Sequence, residues 1–136
     1  MTITIGAGRR RERLLALSAV VVVPLALRLL TLRRTLALCD RWPVLGSCQA
    51  SPFGLADRTQ RWLSLGRGPW TSTCLTRSVL LYTLLRSHGY SPCLHIGVTS
   101  EPSRFLAHAW VTLQDRPVGE KPVSIAWYRE LLVHGA

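Results

Sequence analysis

The chain of 136 residues has few cysteines, and their arrangement excludes two common uses of this residue. Its four cysteines are too few and too unevenly spaced for a disulfide framework, and no two of them form the CxxC pair typical of zinc sites. We therefore expect reduced thiols, no metal and no cofactor. Cys39, Cys48 and Cys93 are expected to be small buried residues or bystanders, and a Cys39–Cys48 bridge is expected only in an oxidising compartment.

Acidic residues are also scarce, because seven Asp and Glu residues stand against 17 Lys and Arg residues, for a formal charge of +10. This excess is concentrated at the start of the chain, where seven arginines and only Glu12 precede Thr35. A nucleic-acid-binding protein would carry a basic stripe on its folded domain together with a recognisable motif. The sequence has neither feature, so we expect no nucleic-acid partner.

A long apolar run is missing as well. Residues 14–27 carry no charge, but as a helix they would be only ~21 Å long, shorter than the ~30 Å hydrocarbon core of a bilayer. The small-residue cleavage pattern of a secretory signal is absent. Three interpretations of residues 9–34 stay open: a helix kinked at Pro24 that packs on the domain or on a partner protein, a membrane-surface helix, or an anchor. The expected location is the cytoplasm, with peripheral membrane contact as the alternative.

The most informative feature is Cys74, which follows three small hydroxyl residues at the predicted start of a helix. Ser or Thr at that position caps the free amide groups of the first turn. The apolar pattern continues to about His88, and Gly89 is a typical residue just after a helix. A helix N-terminus favours the thiolate form of cysteine, so Cys74 is the candidate nucleophile.

Two strands are predicted after this helix. Residues 93–98 alternate apolar and other side chains, and a second apolar run, 105–113, carries His108 and Trp110 on one face. A thiol at a helix N-terminus beside an imidazole on a strand is the geometry of papain-like and transglutaminase-like catalysis. A tight turn at 114–117 should lead to a returning strand, 118–125. A last helical or extended piece, 126–133, should dock Trp127, Leu131 and Leu132 on the core.

Three sequence blocks in this order resemble the leader peptidases of lasso-peptide biosynthesis, which are small transglutaminase-like cysteine proteases. The blocks are Thr-Cys-Leu-Thr-Arg-Ser, His-Ile-Gly-Val and Ala-His-Ala-Trp-Val, and the likeness is close over residues 60–120. The resemblance implies an α+β fold, with a papain/transglutaminase-like core in which the Cys74 helix packs on a small antiparallel sheet. We expect helical segments and a connection in residues 1–54 and the core in residues 55–136, together forming a single compact domain.

The resemblance also implies a function: hydrolysis of one peptide bond to remove the leader from a lasso-peptide precursor. Cys74 would be the nucleophile and His108 the general base. The implied partners are the precursor peptide, a separate leader-recognition protein and an ATP-dependent lasso cyclase. Two alternatives are amide or acyl transfer by the same pair, and a non-catalytic membrane-associated scaffold in which Cys74 is structural.

The residue that orients His108 departs from the family pattern, which typically has an aspartate on the returning strand. This chain has Glu120, twelve positions after His108. Asp115, at the turn tip, would lie ~23 Å from His108 along an extended strand. A two-residue turn would put Glu120 on the face opposite His108, whereas a three-residue loop or a bulge would put both on one face. We favour Glu120 as the third catalytic residue, with Asp115, a backbone carbonyl or no orienting group as alternatives.

Two further residues are candidates for substrate binding. Arg77, one turn beyond Cys74, either faces the substrate or is a solvated residue of the helix surface. Trp110 either shields the site from water or packs against it. His95 is expected at the surface or behind the site, and His88 near the end of the helix, where the helix dipole favours a cation.

Overall fold

The computed structural model describes residues 3–44, 51–65, 73–99, 106–120, 122–126 and 128–135. Cys48 lies outside these ranges, so the Cys39–Cys48 expectation concerns a residue beyond the described part of the chain. The helices are α1 (Ile3–Leu29), α2 (Leu32–Asp40), α3 (Pro52–Ser64), α4 (Cys74–Ser87) and the single-turn α5 (Pro122–Ile125), and the strands are β1 (Cys93–Thr99), β2 (Ala107–Leu113), β3 (Arg116–Val118) and β4 (Tyr128–Gly135). The predicted α+β class is confirmed.

The four strands form one sheet in the order β3-β2-β1-β4, in which every neighbouring pair is antiparallel. Strand β1 therefore lies between β2 and the last strand of the chain. Leu94 of β1 pairs with Val111 of β2, and both are buried in the hydrophobic core. Since side chains alternate along a strand, the neighbouring residues His95 and Trp110 share the opposite face of the sheet.

Helix α4 is the central element of the core. Thr73 caps its start, because the Thr73 Oγ1 accepts a hydrogen bond of 3.1 Å from the Thr76 N–H. The helix ends with Gly89 in the left-handed region at φ 89°, as the sequence predicts. Nearly every residue from Thr76 to Ser87 is buried. A helix that is apolar on all sides is typical of an element covered on all sides, here by helices and the sheet.

Helix α1 continues through Pro24 without interruption. Its buried residues Ala19 and Val23 belong to the same hydrophobic cluster as Leu36 of α2, the core of α4 and the sheet. Helix α1 thus packs on the domain, which agrees with the first of the three interpretations of residues 9–34, a helix that packs on protein. Within the described ranges, no helix is both long and apolar enough to cross a membrane.

The segment after β2 differs from the prediction. The turn contains only Gln114 and Asp115, with φ of 49° and 64°, values typical of a tight hairpin turn. Strand β3 consequently begins at Arg116, and it ends after three residues. The predicted strand over 118–125 is therefore wrong, since 122–125 form α5. In β4, Leu131 and Leu132 are 63% and 41% exposed rather than docked on the core, and Trp127 lies outside the described residues.

Candidate active site

Cys74 is the first residue of α4 and is partly exposed. The turn that holds it is well formed, because the Thr73 carbonyl accepts a hydrogen bond of 2.9 Å from the Arg77 N–H in addition to the side-chain cap. The first amide groups of a helix lack partners within the helix, so they are available to a negative charge near Cys74. The position suits a nucleophilic thiol and the oxyanion that such a thiol generates.

The buried cysteine Cys39 has the opposite environment. Burial raises the pKa of its thiol, and a hydrogen bond with the Thr83 hydroxyl offsets only part of that effect. Because the thiolate is the reactive form, we expect the Cys39 thiol to react slowly.

His108 lies on β2 and its ring is held by a carboxylate. The imidazole Nε2 is 2.7 Å from both carboxylate oxygens of Glu120. A carboxylate only accepts hydrogen bonds, so Nε2 carries the proton in this pair. The Nδ1 atom has no hydrogen-bond partner among the described residues, and in this tautomer Nδ1 is the basic nitrogen.

Glu120 reaches His108 because of a bend at Gly119. In the β2–β3 register Val111 pairs with Val118, and continuing this register would place Glu120 opposite Ala109, on the face away from His108. Instead β3 ends at Val118 and Gly119 adopts φ 79°, a conformation that favours glycine. A two-residue turn alone would place Glu120 and His108 on opposite faces of the sheet, as predicted. The bend at Gly119 brings the Glu120 carboxylate back to the His108 imidazole.

Arg77 binds the same carboxylate rather than pointing into solvent. Its NH2 group is 3.1 Å from Glu120 Oε1, and its NH1 group donates a hydrogen bond of 3.3 Å to Gln60 Oε1 on α3. The Glu120 side chain is only 12% exposed, so charge-assisted hydrogen bonds of this kind are stronger than they would be in water. Arg77 and His108 therefore hold Glu120 from two sides.

A buried hydrogen bond joins the helix of Cys74 to the strand of His108. The Ser78 Oγ donates to the Ala109 carbonyl at 2.8 Å. Ser78 lies one helical turn beyond Cys74, and Ala109 directly follows His108. No hydrogen bond joins Cys74 to His108 in the part of the chain that the structure describes. Catalytic hydrogen bonds are often long in free enzymes and shorten when substrate binds.

A layer of rings covers the sheet beside His108. The His108 ring centroid is 6.0 Å from that of Trp110 and 5.1 Å from that of Tyr128. On its other side, Trp110 stacks on His95 at 5.3 Å. Trp110 is only 3% exposed, so it forms a wall that keeps water from the imidazole rather than an open contact surface. His95 is fixed in turn by hydrogen bonds to Glu130 and Thr112.

Gly97 makes this layer possible. It pairs with His108 on the neighbouring strand, and a Cβ added to it would lie 2.8 Å from the Arg129 carbonyl and 3.0 Å from the Trp110 ring. Any larger residue would push β4 or the indole away. The glycine of the His-Ile-Gly-Val block thus serves close packing.

Several residues of the site were not predicted from the sequence. Gly119 has a local signal, since an isolated glycine beside a strand indicates a bend. Gln60 has none, because it lies 17 residues before Arg77 and meets it only through the packing of α3 on α4. Within the described part of the chain, no cluster of His, Cys, Asp and Glu side chains suits a metal ion.

A partly exposed cysteine at a helix N-terminus, next to a strand whose histidine is held by a carboxylate, is an arrangement typical of papain-like thiol enzymes. The sequence of the chain matches the family model of the transglutaminase-like superfamily over residues 19–133. The chain belongs to the transglutaminase-like superfamily, whose chemistry is generally that of cysteine proteases and acyl transferases. No curated protein and no solved structure is significantly similar to the chain.

Proposed function

We propose that the chain is a cysteine peptidase that removes the leader peptide from a lasso-peptide precursor. The observation that carries the peptidase proposal is the 2.7 Å contact between His108 Nε2 and Glu120. The strand of His108 is joined to the Cys74 helix by the hydrogen bond from Ser78 to the Ala109 carbonyl. The narrower assignment to lasso-peptide maturation rests on the three sequence blocks around Cys74, His95 and His108.

In the proposed acylation step, His108 Nδ1 takes the proton of the Cys74 thiol and the thiolate attacks the carbonyl carbon of the scissile bond. The carbonyl oxygen becomes an oxyanion, for which the Cys74 backbone N–H is the available donor at the helix start. The imidazolium then gives its proton to the leaving amine as the C–N bond breaks. A thioester on Cys74 and the free amine of the core peptide result.

In the deacylation step, His108 takes a proton from water and the resulting hydroxide attacks the thioester. Breaking the C–S bond releases the leader as a carboxylic acid, and the imidazolium returns its proton to the Cys74 thiolate. The acid then ionises and the freed amine takes up its proton, so atoms and charge balance over the cycle. Glu120 stabilises the imidazolium in both steps, and Arg77 holds Glu120 in place. An amine in place of water would give acyl transfer, and the mass of the released leader distinguishes the two outcomes.

We propose further that a leader-recognition protein delivers the precursor and that an ATP-dependent cyclase uses the cleaved core. Helix α1 offers a surface for such a partner, since Leu14, Leu17 and Val21 form a stripe that is 64%, 54% and 50% exposed. A cavity of about 580 Å³ adjoins the stripe and is lined by Leu17 together with Arg13 and Trp62. Sedimentation with anionic lipid vesicles tests the alternative that this stripe contacts a membrane surface.

The partner proposal predicts a rate difference. Binding of the precursor to a second protein that docks on this one raises the effective concentration of the scissile bond at Cys74. Cleavage of the precursor should therefore be faster with the leader-recognition protein than without it, measured by mass spectrometry at equal enzyme concentration. Equal rates under both conditions would reject the delivery role and leave the peptidase proposal intact.

A thiol-reactive probe separates the enzyme from the scaffold alternative. At pH 6, iodoacetamide should modify Cys74 faster than Cys39 or Cys93, read by peptide mapping, because a helix N-terminus with a neighbouring base promotes thiolate reactivity. Equal labelling of Cys74 and Cys93 would support a structural role for Cys74.

A further inference from the structure

A second cavity opens on the face of the sheet that carries His108. Its volume is about 420 Å³, and it lies between the β2–β3 turn, helix α5 and the first residues of β4. Trp110 and Tyr128 line it, with ring centroids 6.1 Å apart. Tyr128 also contacts the His108 ring at 5.1 Å. Tyr128 thus contacts the His108 ring and also lines the cavity, whereas His108 itself does not line it.

The described residues that line this cavity differ in charge from the whole chain. They include the carboxylates of Asp115 and Glu130 and no lysine or arginine, although the chain carries a formal charge of +10. Asp115 forms no hydrogen bond or ion pair with any residue in the described ranges, so its charge is available. Glu130 is half exposed and uses one oxygen, Oε1, to bind His95.

The remaining lining suits an extended aliphatic chain with a cationic end. Pro122 and Ile125 of α5 add apolar surface to the lining. A guanidinium or ammonium group is attracted to carboxylates at the rim, while its methylene groups pack on apolar side chains. A neutral polar side chain of the same length would gain only the packing.

We propose that this cavity is a substrate subsite that binds an arginine or lysine side chain of the peptide being cleaved. The proposal rests on the peptidase function for the identity of the ligand as a peptide. It assigns Asp115 to substrate selection, a role different from the orientation of His108 considered in the sequence analysis. The subsite would favour precursors that carry a basic residue close to the cleaved bond.

The test compares two blocked peptides that differ only in charge: acetyl-Ala-Ala-Arg-Ala-Ala-amide and the same peptide with citrulline in place of arginine. Binding to the full-length Cys74→Ala variant is followed by NMR through the ring signals of Tyr128 and His95, at peptide concentrations up to the mM range. We expect the arginine peptide to bind roughly 5- to 30-fold more tightly than the citrulline peptide. In the Asp115→Asn, Glu130→Gln double variant this ratio should fall towards one.

Asp57→Asn is the matched control, because it removes a carboxylate of α3 that does not line this cavity, and it should preserve the ratio. Equal affinities for the two peptides, no binding of either, or a ratio that survives in the double variant would each overturn the subsite. Cleavage of the full precursor by the unmodified protein is measured in parallel. Selective binding without cleavage would reject the peptidase and keep the subsite, and cleavage without selective binding would do the reverse.

Discussion

Replacing Glu120 with glutamine tests how the imidazole is held. The carboxylate accepts hydrogen bonds from both His108 Nε2 and Arg77 NH2, and both of its oxygens lie 2.7 Å from Nε2. A glutamine side chain has the same shape but only one acceptor oxygen. If that oxygen continues to accept from Arg77, the new amide group faces Nε2 as a donor. The ring must then carry its proton on Nδ1, which is the wrong tautomer for a base that takes the thiol proton.

The magnitude follows from the charge that is lost. At 2.7 Å and an effective dielectric constant of about 20, a carboxylate attracts an imidazolium by about 6 kcal/mol. The side chains are 19% and 12% exposed, so solvent screening reduces this value. With the tautomer effect included, we predict that kcat/KM for precursor cleavage falls by about 10²- to 10⁴-fold, or roughly 3–5 kcal/mol in the activation free energy.

The assay is quantitative mass spectrometry of leader release, with the melting temperature as a check on folding. Nitrogen-15 NMR of His108 gives a second readout, in which the proton should move from Nε2 to Nδ1 in Glu120→Gln and stay on Nε2 in Glu120→Asp. The matched control is Asp57→Asn, which removes a charge from the neighbouring helix α3 and should alter kcat/KM less than threefold. A folded Glu120→Gln protein with near-normal activity and an unchanged tautomer would refute this assignment.

Two predictions concern stability, measured by urea unfolding. Gly97→Ala should lower the free energy of unfolding by about 1–3 kcal/mol, because its Cβ would meet the Arg129 carbonyl at 2.8 Å. The control Gly54→Ala, whose Cβ meets nothing closer than 3.7 Å, should leave the free energy of unfolding unchanged or raise it by about 0.5–1 kcal/mol. Equal effects at the two glycines would contradict the packing argument. Tyr82→Phe should cost about 1.5–3 kcal/mol at pH 7, since the Tyr82 hydroxyl donates a 2.7 Å hydrogen bond to Asp40. Burial, and then this hydrogen bond, raise the pKa of Tyr82 above its ordinary value of about 10, so above pH 10 the native state keeps a proton that the unfolded chain loses. The stability advantage of the unmodified protein over Tyr82→Phe should therefore shrink above pH 10. A constant difference between pH 7 and pH 11 would contradict this prediction.

The sequence predicts the elements that depend on local chemistry. The cap at Thr73 and the stop at Gly89 bound α4 as expected, and the alternation of residues 93–98 correctly gives β1. These signals are reliable because they reflect hydrogen bonds and side-chain faces within a few residues of one another. The placement of Cys74 at a helix start and of His108 on a strand follows from them.

The route of the chain after β2 was not predictable in the same way. The left-handed conformations of Gln114 and Asp115 shorten the turn. The length of the turn depends on how the two strands pair in the sheet, and not on those two residues alone. A single glycine, Gly119, then decides on which face Glu120 lies. Helix α1 likewise runs through Pro24, because burial against α4 offsets the loss of one backbone hydrogen bond.

Contacts between distant segments are the other part that the sequence does not reveal. Arg77 had two interpretations from the sequence, solvent or substrate, and in the structure it binds Glu120 and Gln60. No local pattern links a residue of α3, a residue of α4 and a residue beyond β3. Such networks depend on how the helices and the sheet pack against one another.

The most direct measurement of the central claim uses the precursor peptide, the leader-recognition protein and three purified forms of the chain. Mass spectrometry should show a leader ending in a free carboxylate with the unmodified protein, and intact precursor with Cys74→Ala and with His108→Ala, both folded by circular dichroism. The two losses should be of similar size, because the thiol and the imidazole act in one proton-coupled attack. Leader release at the normal rate by either variant would contradict the Cys74–His108 mechanism.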